Sequence, residues 1–197
     1  MVGPNDRYMH PDAGVADPTQ LRSIDPDLPT LFLDVDGVLN AIDRKNPDHA
    51  WGDGRITHAQ PSFANRTWPI YTSTKIGPAL LALGVNIVWL TTWKYEANLA
   101  ISPLVGLPQD LPVGDGAHHW GDFQAWKTDV VVDHLDRYDH PVIWIDDEAI
   151  PYGFEHRSFH TNTQTVLTVR TNPYQGLLPT EVEQVSEWLE LWVRGTK

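Results

Sequence analysis

The stretch TLFLDVDGVLN, Thr30 to Asn40, closes an apolar run with Asp34 and Asp36 two residues apart and Gly37 directly behind them. A continuous apolar run of this length reads as a strand covered on both faces. Its carboxylate end needs a separate reason. Taken alone, D-x-D-G is also a common way to turn the chain after a strand. What lies elsewhere in the sequence decides between a turn and a site.

Three further short apolar runs match the first: VNIVWLTT (Val85 to Thr92), PVIWIDDE (Pro141 to Glu148) and TVLTVRTN (Thr165 to Asn172). Helical patterns fall between and after them. Gly77 and Pro78 open PALLALG, with Gly84 placed as a C-cap. Asp122 is placed to cap FQAWKTDVVVDHLDRY, in which Phe123, Trp126, Val130, Val131 and Leu135 lie near one face. Thr180 and Glu183 have capping-box spacing ahead of the stripe Val182, Val185, Trp188, Leu189 and Trp192. Strands alternating with helices imply an α/β fold around a mostly parallel sheet, in which ligands sit at the C-terminal ends of the strands. The polar residues fall there: Asp34 and Asp36 after the first run, Thr91 and Thr92 after the second, Asp146 and Asp147 after the third.

Composition narrows the function. The chain has 197 residues, enough for one domain built on a single core. Its formal charge of -12 argues against a nonspecific polyanion binder but leaves a local basic groove open. No cysteine is present, so neither a disulfide framework nor a thiolate site is available, which fits the cytosol. No segment has signal-peptide character and none reaches the length of a spanning helix, so a cytoplasmic protein without membrane contact is expected. Residues 1–29 carry five prolines among Asp, Gly and Asn and read as a flexible or wrapped N-terminal arm, with the folded domain at residues 30–197.

Parallel neighbouring strands would bring the four carboxylates Asp34, Asp36, Asp146 and Asp147 within a few ångströms of one another. Like charges that close cost several kcal/mol unless a cation or protons compensate. Oxygen ligands with positions left for water and phosphate suit Mg²⁺.

The ordered set DVDGV at Asp34 to Val38, a Thr closing VNIVWLT, Lys127 on a helix, and IDDE ending at Glu148 resembles the four motifs of the haloacid dehalogenase-like (HAD) superfamily. Most members are Mg²⁺-dependent phosphatases. The resemblance implies a three-layer Rossmann-like core with small cap or flap insertions. It makes Asp34 the nucleophile that forms an aspartyl-phosphate and Asp36 the general acid and later base. Thr91 and Lys127 would contact the phosphate, and Mg²⁺ would sit on Asp34, the Asp36 backbone carbonyl, Asp146 and Asp147. Thr92 could stand in for Thr91, while Lys75 and Lys94 compete with Lys127. Within the superfamily, an Asp at position 36 favours phosphatases over dehalogenases and pumps, and the absence of a large cap disfavours mutases.

Residues 40–73 are too short for a cap domain and are expected to form a flap and a β-hairpin. Residues 98–121, with three prolines and GDGAHHWGD, are expected to be a loop. Thr92, Trp93 and Lys94 are candidate substrate contacts, and Trp120, Tyr152 and Phe154 are further aromatics able to stack a ring. Arg55, Arg66, Arg157 and Arg170 are candidates for a second phosphate or a nucleic-acid backbone. His118 and His119 read as exposed loop residues. WLTTWKYEAN, WKTDVV and NPYQGLLPTEVEQVSEWL are also similar to nearly capless phosphatase domains of RNA-repair proteins. The expected substrate is a phosphorylated small molecule, with a nucleotide or a nucleic-acid end among the candidates. A noncatalytic binding module on the same fold is the remaining alternative.

Overall fold

In the computed structural model, residues 21–43, 50–62, 65–115, 125–149 and 166–195 are described. The expectations for Asp122, Phe123, His118, His119, Trp120, Tyr152, Phe154, Arg157 and residues 1–20 lie outside them. The chain runs β1 (Thr30–Leu33), β2 (Arg55–Ala59), β3 (Trp68–Thr72), α1 (Ile76–Leu81) and β4 (Asn86–Trp89). It continues through a π-helical turn at Ala97–Ile101 into α2 (Ser102–Val105), then α3 (Ala125–Arg137), β5 (Val142–Asp146), β6 (Val166–Arg170) and α4 (Pro179–Gly195).

Four strands form an all-parallel sheet in the order β4-β1-β5-β6, while β2 and β3 pair as a separate antiparallel hairpin. The period-2 alternation of each strand divides its side chains between two apolar clusters. Leu31, Leu33, Ile87, Trp89, Ile143 and Ile145 join Ile76 and Leu80 of α1, Ile101 and Val105 near α2, and Val182 and Val185 of α4. Phe32, Val88, Leu90, Val142 and Trp144 join Trp126 and Val131 of α3. Strands β1 and β5 are buried throughout because both of their faces are covered. The α/β core around a parallel sheet read from the apolar runs is therefore present, with helices on both faces as in the three-layer core that the resemblance implies. Among the described residues no helix is long and apolar enough to cross a membrane.

Two helical details differ from expectation. Helix α4 begins at Pro179, whose fixed φ and missing N–H suit the first helical position. The reach-back contact is consequently Glu181 Oε2 accepting from Leu178 N–H at 2.7 Å, and not a Thr180–Glu183 box. The segment 98–121, expected as loop, begins within a helical stretch at 97–105. The turn buries Asn98, whose Oδ1 accepts from Trp89 Nε1 and Leu111 N–H and whose Nδ2 donates to Leu111 carbonyl. Gly84 does close the α1 segment, at φ 66° and with its N–H on Leu81 carbonyl.

At the opposite end from the carboxylates, the described end of the arm is fastened to the domain. Asn86 Nδ2 donates to the Asp25 and Leu28 carbonyls, its Oδ1 accepts from Asp25 N–H, and Arg22 pairs with Asp110. His140 Nδ1 reaches Pro26 carbonyl at 3.2 Å, an acceptor only, so that nitrogen carries the proton. His140 Nε2 then accepts from His134 Nε2–H at 2.9 Å. Burial above all pushes the His134 imidazole down to about 4, and the Arg137 charge adds to the shift. The unfolded chain takes up that proton near pH 6.5, so His134 leaves stability intact above that value and lowers it as the pH falls towards 4. Urea unfolding at pH 7 and pH 4.5 should show about 2 kcal/mol more acid loss in wild type than in His134→Gln, allowing for solvent screening.

Candidate active site

The strand register sets the site. Leu33 is level with Trp89 on one side and Ile145 on the other, so Asp34, Thr91 and Asp146 emerge at the same edge of the sheet. Asp34 N–H still donates to Ile145 carbonyl at 3.1 Å, which extends the ladder to the carboxylate residue itself. The chain then turns sharply, with Val38, Leu39 and Asn40 N–H groups all directed at Val35 carbonyl.

Gly37 is required twice in this turn. Its φ is 76°, and a Cβ there would lie 2.4 Å from Asp147 Cγ. Only glycine allows the Asp147 carboxylate to lie against the β1 turn. Thr171 Oγ1 donates to Gly37 carbonyl at 2.8 Å and holds the turn from the β6 side.

Carboxylate oxygens of Asp34, Asp146 and Asp147 all lie within 4.8 Å of one another. Lys127, on the first turn of α3, inserts its ammonium between two of these groups, donating at 2.6 Å to both Asp34 Oδ2 and Asp146 Oδ2. Asp34 Oδ1 accepts from Val35 N–H, and Asp146 Oδ1 accepts from Glu148 N–H. Burial alone would lower the Lys127 pKa, but the charges of Asp34 and Asp146 outweigh it and hold the ammonium protonated. Burial, followed by the Asp34 charge, raises Asp146. Burial and the surrounding carboxylates push Asp147 up to about 6. One lysine thus serves three carboxylates, and the excess negative charge suits a divalent cation with hard oxygen ligands.

Asp36 is held separately. Its Oδ1 accepts from Asn40 Nδ2 at 2.7 Å and its Oδ2 from Trp93 Nε1 at 2.9 Å. Burial raises its pKa, and these two donors act against the rise.

Of the other candidates, Thr91 is fully buried at the strand end and its Oγ1 accepts from Trp93 N–H at 3.4 Å. Thr92 is half-buried beside it. Trp93 is 7 % exposed with its indole N–H on Asp36, so its ring offers no open stacking face. Lys94 turns away from the carboxylates: its ammonium lies 3.6 Å over the Trp126 ring and 3.3 Å from Asp115 Oδ1. Lys75 donates to Trp51 carbonyl. Lys127 is therefore the lysine that the fold brings to Asp34. Arg66 lies over Trp68, whereas exposed Arg170 donates through Nε to Asp147 carbonyl at 3.0 Å, at the rim of the acidic cluster. Asn40 escaped the sequence reading, because only the 35–40 turn reveals that it folds back onto Asp36.

Residues 30–182 match the family described as the HAD domain in Swiss Army Knife RNA repair proteins. The chain belongs to this family. Comparison with curated proteins and with solved structures gives no match. The match spans the whole sheet and every residue of the acidic cluster, and the HAD domain suggests a phosphatase-type hydrolase, with which the acidic cluster is compatible. The β2–β3 hairpin of the HAD domain is fixed close to the site: Asn40 Oδ1 accepts from Tyr71 N–H at 2.9 Å, and Ala41 N–H donates to Tyr71 carbonyl.

Proposed function

We propose that this HAD domain is a Mg²⁺-dependent phosphomonoesterase that removes a terminal phosphate from a nucleic acid through an aspartyl-phosphate on Asp34. The observation that carries the chemistry is the Asp34 carboxylate, held by Lys127 and Val35 N–H beside Asp146, Asp147 and a separately clamped Asp36. The RNA-repair description of the family supports the substrate class.

In the first half-reaction an Asp34 oxygen attacks phosphorus, the ester P–O bond breaks, and Asp36 gives its proton to the departing alkoxide. In the second, Asp36 takes a proton from water, the hydroxide attacks phosphorus, and the Asp34–phosphorus bond breaks to release inorganic phosphate. Lys127 holds Asp34 in place before attack and shifts its donors to the phosphoryl oxygens as charge moves onto them. Thr91 fixes the start of the segment that carries Trp93. Asp34, Asp146 and Asp147 would hold Mg²⁺, which when bound offsets their repulsion of the phosphate dianion and withdraws charge from it.

The purified full chain should hydrolyse a phosphorylated RNA oligonucleotide faster than the corresponding mononucleotide, and both activities should vanish with a chelator and return with Mg²⁺. Activity that survives metal removal would overturn the mechanism. A strong preference for mononucleotides or sugar phosphates would overturn the substrate class and leave the mechanism standing.

A further inference from the structure

We propose that Trp93 and Asn40 are positioning residues for proton transfer: together they fix both oxygens of the Asp36 carboxylate and tie its orientation to the flap hairpin. The inference rests on the reading of Asp36 as the proton carrier and adds what aims it.

The geometry leaves little freedom. Asn40 Oδ1 accepts from Tyr71 N–H at 2.9 Å, which settles the orientation of the carboxamide and turns its NH₂ towards Asp36 Oδ1. An indole nitrogen only donates, so Trp93 can satisfy Asp36 Oδ2 but cannot accept a proton from it. Both donors are buried, at 7 % exposure each, while Asp36 itself is half-buried between them. A carboxylate gripped at both oxygens from two different chain segments cannot rotate about its Cβ–Cγ bond without breaking a hydrogen bond to a buried donor.

Both donors also lead to the hairpin. Asn40 is bonded directly to β3 through Tyr71. Trp93 carbonyl accepts from Glu96 N–H, and the buried Glu96 carboxylate accepts from Ser62 N–H at 2.9 Å and from the Ser62 hydroxyl, just beyond β2. A displacement of the hairpin is therefore passed to Asp36 along two routes, and a substrate that seats the hairpin also aims the acid. Proximity and orientation effects are steep, with a displacement near 1 Å able to lower a rate about 100-fold.

The test compares two leaving groups. p-Nitrophenolate departs as a stable anion without a proton, whereas the alkoxide of a ribose phosphate needs one. Trp93→Phe and Asn40→Leu should each slow ribose-phosphate hydrolysis about 10- to 100-fold, with a several-fold smaller loss on p-nitrophenyl phosphate. Asp36→Asn should show the same split, enlarged. Thermal melts check that each variant folds, and the two substitutions lie on separate segments, so one unstable variant leaves the other as the test. If Asp36→Asn shows the split while Trp93→Phe and Asn40→Leu slow both substrates equally, the clamp is structural only and the inference fails. If Asp36→Asn itself shows no split, the acid reading fails and takes this inference with it.

Discussion

Asp34→Asn is expected to lower turnover of any phosphate ester by at least about 1,000-fold while leaving the fold as stable as the wild type or more so. A carboxamide oxygen is a poor nucleophile, and loss of a group that bonds to phosphorus removes the covalent route altogether. The stability half of this expectation comes from the charges around Asp34. Three carboxylates compete for the Lys127 ammonium, and the Asp34 charge is among the causes that raise Asp146 and Asp147. An asparagine keeps one side-chain oxygen, which can accept from Lys127 but no longer from Val35 N–H as well, and the loss of that contact is offset by removing one negative charge from the cluster. The variant should melt no lower than wild type in the absence of metal, and it should bind Mg²⁺ more weakly because one anionic ligand is gone. Steady-state assays at saturating substrate together with thermal melts with and without Mg²⁺ check both halves. Residual turnover above a tenth of wild type would exclude Asp34 as the nucleophile.

The sheet was legible because its cause is local. In β1 and β5 a buried strand needs apolar side chains on both faces, and TLFL and VIWID state that directly. The carboxylates were legible for a related reason: Asp34 and Asp146 end buried strands, where a charge has no structural excuse. Lys127 was harder, since a helix lysine is usually solvated. Only the packing of α3 over Phe32, Val88 and Trp144 aims it at the strand ends.

What could not be read depends on contacts between distant segments. The sequence makes Trp93 a candidate substrate contact but carries no sign of which way an aromatic after a strand end faces. Its burial and its bond to Asp36 come from the turn at 91–94, where Lys94 adopts φ 49°. The helix at 97–105 was hidden by Pro103, which breaks a helix interior but is tolerated near the first turn of α2. Asn98 escaped for the opposite reason: polar residues suggest a loop, and this one is fully buried because Trp89 and Leu111 supply its partners.

Lys127→Met should be the most damaging single change in stability, and it should slow turnover as well. The side chain is buried, at 6 % exposure, and its ammonium is the cation bonded to both Asp34 and Asp146. Removing one partner from a buried ionic cluster typically costs about 3–5 kcal/mol, because the remaining charges stay in a poorly solvated site. For a chain of this size that corresponds to a melting point lower by about 10 °C. The pH dependence has a definite sign. Asp146 and Asp147 already have folded pKa values raised above the unfolded value, with Asp147 at about 6, and loss of Lys127 removes a charge that lowers both. Groups raised in the folded state contribute stability at low pH and lose it as the pH climbs through the folded pKa. The deficit of Lys127→Met relative to wild type should therefore be largest above pH 6 and shrink as the solution is acidified towards pH 4. Mg²⁺ should narrow the same gap at neutral pH by replacing the missing positive charge, without restoring turnover, since in the proposed mechanism these donors shift to the phosphoryl oxygens and their removal costs about 100- to 1,000-fold in rate. Lys94→Met is the matched control: its ammonium rests on Trp126 and Asp115, so it should leave the Asp34 chemistry within about tenfold of wild type. Urea unfolding from pH 4 to 8, with and without Mg²⁺, would settle the matter. A Lys127→Met protein that kept wild-type stability at pH 7.5 without metal would mean that the three carboxylates are held apart by something other than this lysine.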